Sequence, residues 1–456
     1  MKHRFLLTIA LLGTASPALA ATFTVKSDGS GDHTPIQACA DVAQAGDTCL
    51  VSAGTYSGDV SPANDGSAGM WITFMAEPGQ TPVVTGTWDL EGKHFIVIDG
   101  FEVHGGFSSS TFSGQPCGNI QILNNHIDGA TIGIGLKGDD VLISGNTFDN
   151  MANDMVRQFG DRWTIRNNVV IDETDSNDEH MDFWQSWCNP AGMSASYVLI
   201  ENNEFIDVSG GNVHFTLVNG TDSCGDPVTN MIYRYNKVRN IGSLGMYIDT
   251  NQQTAGCRDN SVYNNTLMDL SEGDFAGWQD YGIAFSGSDS SNGLNNIFYN
   301  AVDSDSAIGF LFAAEGYQAH NLYFDPDATM TFDGAASSEA NAIKNQDPLL
   351  TDAANNDFSL QDGSPAIDQG GALTSVAGAD SGSGTTLIVD EAEFFQPGWG
   401  GADPDTIAVG SPNNAAQIAS IDYPSNTITL ATAITRTAGD PVYLSRDSDG
   451  TCLLYT

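Results

Sequence analysis

Positive charge is scarce in this 456-residue sequence: 15 lysines and arginines stand against 57 acids, for a formal net charge of −42. So acidic a chain repels nucleic acid and anionic membrane surfaces, which excludes both as partners. The acids are interspersed and hydrophobic residues make up 41%, which excludes disorder. Salt tolerance and solubility account for the charge; calcium binding is the sharper alternative. Apolar runs long enough to span a membrane are also missing. The longest run, Phe5 to Leu12, follows Lys2, His3 and Arg4 and precedes Ala18-Leu19-Ala20. That order predicts a signal peptide over 1–20, cleaved near Ala20, and a secreted or periplasmic protein. Cysteine is sparse, with seven residues; in an exported chain this favours disulfides with at least one thiol left over. Cys39 and Cys49 flank a short helix candidate, Gln37 to Ala45, and are a plausible pair.

What the sequence has in quantity is glycine, 50 residues, and asparagine in a fixed context. Leu123-Asn124-Asn125-His126-Ile127 is followed by Ser144-Gly145-Asn146-Thr147-Phe148, Arg166-Asn167-Asn168-Val169-Val170 and Glu201-Asn202-Asn203-Glu204-Phe205. Arg234-Tyr235-Asn236-Lys237-Val238, Tyr263-Asn264-Asn265-Thr266-Leu267 and Leu294-Asn295-Asn296-Ile297-Phe298 continue the series. The last asparagines of successive units are 21, 22, 35, 33, 29 and 31 residues apart. A unit of this length with variable insertions marks a solenoid whose loops grow on one side. Asparagine suits the turn because it tolerates left-handed backbone and bonds locally, and its side chains are placed to stack from coil to coil. Short runs such as Val141-Leu142-Ile143, Trp163-Thr164-Ile165 and Val198-Leu199-Ile200, with no helical period between them, argue against a βαβ fold. The expected class is all-β: a right-handed parallel β-helix, single-stranded, over 21–375 with an N-terminal cap. Ser381-Gly382-Ser383-Gly384 reads as a linker to a small C-terminal β domain over 376–456, with strands near Thr385–Val389, Thr406–Val409, Ala416–Ile421, Thr427–Leu430 and Val442–Leu444. Its expected role is capping or spacing, with carbohydrate attachment as the alternative.

The chain resembles the pectate-lyase-like β-helix superfamily at three places. These are Thr22-Phe23-Thr24-Val25, the segment Ala45-Gly46-Asp47-Thr48-Cys49-Leu50-Val51 with Gly54-Thr55-Tyr56, and Asp357-Phe358-Ser359-Leu360 with Gly363-Ser364-Pro365-Ala366-Ile367-Asp368. The resemblance implies the fold over roughly residues 22–370. It leaves the reaction open, because such proteins include lyases, hydrolases, epimerases and non-catalytic surface proteins.

Strand alternation nominates a site. With Met181 and Phe183 inside, His180, Asp182 and Trp184 point out. With Val213, Phe215 and Leu217 inside, Asn212, His214 and Thr216 point out; with Met246 and Ile248 inside, Tyr247 and Asp249 point out. Aligning Met181, Val213 and Met246 stacks Asp182, His214 and Tyr247 in one outward column at rungs about 4.8 Å apart. Counting back from Asn168 adds Arg157, at the cost of turning Gln158 inward. His180, Trp184, Asn212, Thr216 and Asp249 would flank a sugar. Lys137, Arg157, Arg162, Arg166, Arg234, Lys237, Arg239 and Arg258, more than half of the chain's 15 bases, cluster in this region and would hold an anionic ligand or merely satisfy turns. Cys188, Cys224 and Cys257 occupy similar loop positions, so either neighbouring pair would staple adjacent loops.

Cleaving a uronic-acid polymer by β-elimination requires neutralising a carboxylate, removing the C5 proton and protonating O4. Arg157 would neutralise, His214 and Tyr247 would share base and acid, and Asp182 would fix the histidine tautomer. This is similar to the His/Tyr chemistry of some alginate lyases. The expected activity is therefore a polysaccharide lyase acting as a monomer on an extracellular polysaccharide, alginate- or pectate-like. A glycoside hydrolase using Asp182 and Asp249, or a non-catalytic carbohydrate-binding surface protein, are the alternatives. Asp172, Glu173, Asp175, Asp178 and Glu179 crowd one loop with hard oxygen donors that would suit Ca2+.

Overall fold

The structure, a computed structural model, describes residues 20–109, 114–171, 173–174, 181–187, 195–209, 213–219, 228–241, 245–249, 259–270, 283–286, 289–300, 310–312, 315–326 and 339–445. Three stacks of parallel strands form the faces of a solenoid. The first runs from Thr22–Val25 through Val198–Glu201 to Glu315–Ala319. The second, of twelve strands, runs from Gly54–Tyr56 to Ile343–Lys344. The third runs from Trp88–Asp89 through Met181–Trp187 and Val213–Asn219 to Phe310–Phe312. The parallel β-helix expected from the repeat is therefore present. Inward residues of all three stacks, among them Ile98, Ile122, Ile143, Ile165, Ile200, Phe148, Phe205 and Val213, make one continuous core.

The asparagine pairs divide their labour. The first member takes the left-handed conformation (Asn124 φ 51°, Asn167 φ 55°, Asn202 φ 54°, Asn264 φ 57°, Asn295 φ 58°), with Gly145 and Tyr235 in the same place. The second builds a buried ladder: Asn146 Oδ1 accepts from the Asn125 amide N–H at 2.9 Å and from its Nδ2 at 3.1 Å. The pattern repeats through Asn168, Asn203, Asn236, Asn265 and Asn296 to Asn321, where Glu339 ends it by accepting both bonds. Each rung satisfies the next, so the amides cost little to bury.

The N-terminal helix is shorter than expected, Ile36–Ala40, and the Cys39–Cys49 disulfide ties it to the first stack. Cys117 is buried and free; Cys188, Cys224, Cys257 and Cys452 lie outside the described residues. Among the described residues no helix is long and apolar enough to cross a membrane.

The last strands, from Thr374–Ser375 to Pro441–Leu444, form a six-stranded antiparallel sheet. The expected linker Ser381-Gly382-Ser383-Gly384 is mostly strand instead, because Gly382 and Ser383 pair with Arg436 and Thr435. The sheet lies against the outer side of the first stack. Leu199, Ile232, Tyr263 and Leu294 alternate outward there and share a core with Phe394, Phe395, Trp399 and Val389. The continuous apolar triplet Val198-Leu199-Ile200 is thereby explained, since both of its faces are covered. Gly400 touches the stack backbone so closely (φ 58°) that a Cβ there would lie 2.4 Å from the Val141 carbonyl oxygen. Beside it, the Thr164 hydroxyl donates to the Trp399 carbonyl at 2.6 Å.

Candidate active site

The third stack brings Asp182 and His214 together as the alternation requires: Met181 pairs with Val213 and Asp182 with His214. The imidazole Nδ1 lies 2.9 Å from Asp182 Oδ1. Their neighbours Met181, Phe183, Val213 and Phe215 all belong to the core, with the rings of Phe183 and Phe215 stacked at 5.0 Å. Asp182 and His214 thus point away from the core. The expected exposure to water is not met, because both side chains are completely buried.

Tyr247 does not join them. The insertion between Val218 and Met246 shifts the register, so that Met246 pairs with Thr216 and Tyr247 with Leu217. Tyr247 therefore stands three residues along from His214, roughly 10 Å at 3.3 Å per residue. Asp249 pairs with Asn219, five residues along or roughly 16 Å, which removes the expected Asp182–Asp249 spacing. The side chains of Tyr247 and Asp249, and the whole of His180 and Asn212, lie outside the described residues.

Trp184 and Thr216 are also corrected. The alternation changes phase after Phe183, so Trp184 is core, edge-on to Tyr233 at 6.2 Å. Its indole N–H donates to Gln158 Oε1 at 2.9 Å, which accounts for the inward glutamine. Thr216 sits beside it in register and is fully buried. Neither side chain is available to stack on or bind a sugar.

Arg157 pairs with Gln185 rather than Asp182 in the ladder. Its guanidinium nevertheless reaches back to the column, because Nε donates to Asp154 Oδ2 at 2.5 Å and Nη2 to Asn153 Oδ1 at 2.8 Å. Asp154, one coil before Asp182, is the member that sequence reasoning missed. It is completely buried, and its Oδ1 accepts the Asp182 amide N–H at 3.1 Å. The assembled group is Asp154, Asp182, His214 and Arg157, of which Arg157, 23% exposed, alone meets solvent.

Burial sets the proton inventory of this group. It holds the His214 imidazole down to about 4, against the opposing charge of Asp154. The Asp154 carboxyl is pushed up to about 7 by burial and then by the charge of Asp182, with Arg157 pulling the other way. The Asp182 contact would favour a charged imidazole, but complete removal from water outweighs one carboxylate. Near neutrality the histidine is thus uncharged. The ring nitrogen that faces Asp182 is Nδ1.

Among the described residues, most of the clustered bases are paired within the protein. Arg162 binds Asp139 and Asp140, Lys237 binds Glu204, Arg239 binds Asp207, and Arg234 binds Glu201 and Asp405. Arg166 lies 3.9 Å from Glu201, and Lys137 donates to the Gly114 carbonyl; Arg258 lies outside the described residues. Of the expected calcium loop, Asp172, Asp175, Asp178 and Glu179 lie outside as well. Glu173 is buried, accepts the Met151 amide N–H at 3.2 Å and is pushed up to about 7 by burial.

Residues 110–310 match the family described as right handed beta helix region. The fold is a right-handed parallel β-helix. No curated protein matches the sequence. Among solved structures, pectate lyase Pel9A is 12% identical, with 77% of this chain and 92% of that one covered and a TM-score of 0.44. A GH136 lacto-N-biosidase from Eubacterium ramulus is 9% identical over 71% of this chain and 67% of its own, TM-score 0.44. A mannuronic-acid-specific polysaccharide family 6 lyase from human gut microbiota is 12% identical over 74% and 94%, TM-score 0.38.

Proposed function

We propose that this protein is an exported polysaccharide-active enzyme that cleaves a uronic-acid-containing polymer by β-elimination. The observation that carries the reading is the His214 Nδ1–Asp182 Oδ1 contact of 2.9 Å within a column that also holds Asp154 and Arg157. In this structure His214 and Asp182 are completely buried, so for the imidazole to take the C5 proton the column must first open to the sugar. Arg157 supplies the cation that a uronate carboxylate needs, and its exposed edge is the side from which a substrate would approach. Asp154, equally buried, is the group this reading puts in place of Tyr247 to return a proton to O4 once the column opens. Export is supported by the charged and apolar pattern from Lys2 to Ala20 and by the Cys39–Cys49 disulfide.

A hydrolase is the second reading, favoured by one feature. Asp154 and Asp182 sit on adjacent coils as a buried carboxyl pair, which the same opening would have to bring to the sugar as general acid and partner. The test is incubation with alginate, pectate, glycosaminoglycans and neutral glycans, reading both the ultraviolet absorbance of unsaturated uronates and reducing ends. Unsaturated product supports the lyase, and reducing ends without absorbance support the hydrolase. Neither signal, or full activity in both His214→Ala and Asp182→Asn, defeats the assignment of chemistry to this column.

A further inference from the structure

The second stack carries an unrelated set of donors. In Glu102–Val103 the valine is core, so the flanking Glu102 and His104 project outward. One coil later Ile127 is core and His126 and Asp128 project; one coil further Phe148 is core and Asp149 projects. The register sets His126 beside Glu102 and Asp149 beside Asp128. Imidazoles and carboxylates consequently stand side by side on the first two of these coils, and Asp149 adds a carboxylate on the third.

Three of these groups converge. His104 Nε2 lies 2.8 Å from Glu102 Oε1 and 3.8 Å from Asp128 Oδ2, and one donor atom from each residue lies within 4.8 Å of the others. Zinc–nitrogen and zinc–oxygen bonds run about 2.0–2.2 Å, so two ligands of one ion stand no more than about 4.4 Å apart. Small rotations of side chains that are 37%, 28% and 31% exposed close that gap. Next to them, His126 Nε2 lies 3.6 Å from Asp149 Oδ2. An imidazole with two carboxylates suits a borderline divalent ion, whereas calcium prefers an all-oxygen shell.

We propose that Glu102, His104 and Asp128 form a surface site for a divalent transition-metal ion of the zinc class, with a fourth position open to water. The ion would tie two successive coils of the second stack together, and it would stabilise the protein by mass action. Because a ligating imidazole must be unprotonated, uptake weakens in acid.

The experiment uses the full chain without a polyhistidine tag, stripped with chelator and titrated with Zn2+ by calorimetry, with Ca2+ as the comparison. The expected result is one strong Zn2+ site, a raised melting temperature with Zn2+, and a Zn2+ dissociation constant at least tenfold below that for Ca2+. His104→Ala and Asp128→Asn should each weaken Zn2+ binding at least tenfold while the metal-free proteins melt as the wild type does. As a check that needs no variant, the His104 ring resonances should shift on Zn2+ addition. Zn2+ binding no tighter than millimolar, equal affinity for Ca2+, unmoved His104 resonances, or undiminished binding in both variants would overturn the proposal.

Discussion

Arg234 and Asp405, 171 positions apart, meet through two hydrogen bonds, Nη2 to Oδ1 at 2.8 Å and Nη1 to Oδ2 at 3.0 Å, with each side chain 5% exposed. The planar fork and the carboxylate match, and Glu201 and the Tyr263 hydroxyl occupy further edges of the guanidinium. This is the polar centre of the contact between solenoid and C-terminal sheet. Removing one partner strands a buried charge, so Asp405→Ala is expected to cost about 3–5 kcal/mol. Denaturant unfolding measures it, and a loss below about 1 kcal/mol would show that the contact does not hold the sheet.

Gly400 tests the same docking by shape rather than charge. A methyl group there meets the Val141 carbonyl oxygen at 2.4 Å and the Thr164 amide nitrogen at 2.6 Å. Gly400→Ala should lower the melting temperature and expose the sheet to protease. Gly378→Ala, where nothing lies within 4 Å of a new Cβ, should stay within about 0.5 kcal/mol of the parent.

Within the asparagine pairs, the two members should respond differently. Asn203 gives Nδ2 to Asn236 and to the Ile165 carbonyl, and its Oδ1 accepts from Asn168. Asn203→Ala leaves buried groups unpaired and should cost about 1–3 kcal/mol or more. Asn202, at φ 54°, should accept glycine with little loss, since glycine reaches that conformation freely. Equal costs at the two positions in chemical denaturation would contradict this division.

The buried column should leave opposite marks on the pH dependence of stability. His214 titrates at about 4 when folded and near 6.5 when unfolded, so its contribution is lost as the pH falls from about 6.5 through 4. Asp154 titrates at about 7 when folded and near 3.9 when unfolded, so its contribution is lost as the pH rises from about 4 through 7. His214→Gln should flatten the acid limb and Asp154→Asn the limb toward neutrality. Urea midpoints between pH 4 and 8, with the His214 ring followed by NMR, check both slopes.

The repeat was legible because the coil-bridging asparagine recurs in each unit, beside a left-handed position that is asparagine in most units and Gly145 or Tyr235 in two. Asp182 beside His214 was legible because both strands keep strict alternation at their starts. The neighbouring assignments failed for local reasons. A phase change after Phe183 turned Trp184 into the core and left its register partner Thr216 buried beside it, and the insertion before Met246 slid Tyr247 three places. Asp154 was hidden because it precedes its strand, Val156–Phe159. Its partner Arg157 reaches it along the chain rather than across the rungs. The pairing of the arginines with carboxylates was hidden too, since charge counts say nothing about which acid a base meets.

A coil stack held only by adjacent turns would melt from its tips. Here the slab across its flank is made of residues synthesised after the coils it covers, and the Trp399 carbonyl takes the hydroxyl of Thr164, 235 positions earlier. Until that slab arrives, the strip formed by Leu199, Ile232, Tyr263 and Leu294 faces water as a naked greasy seam. The newly made chain is therefore most prone to self-association in the interval before the sheet from Thr374 to Leu444 emerges.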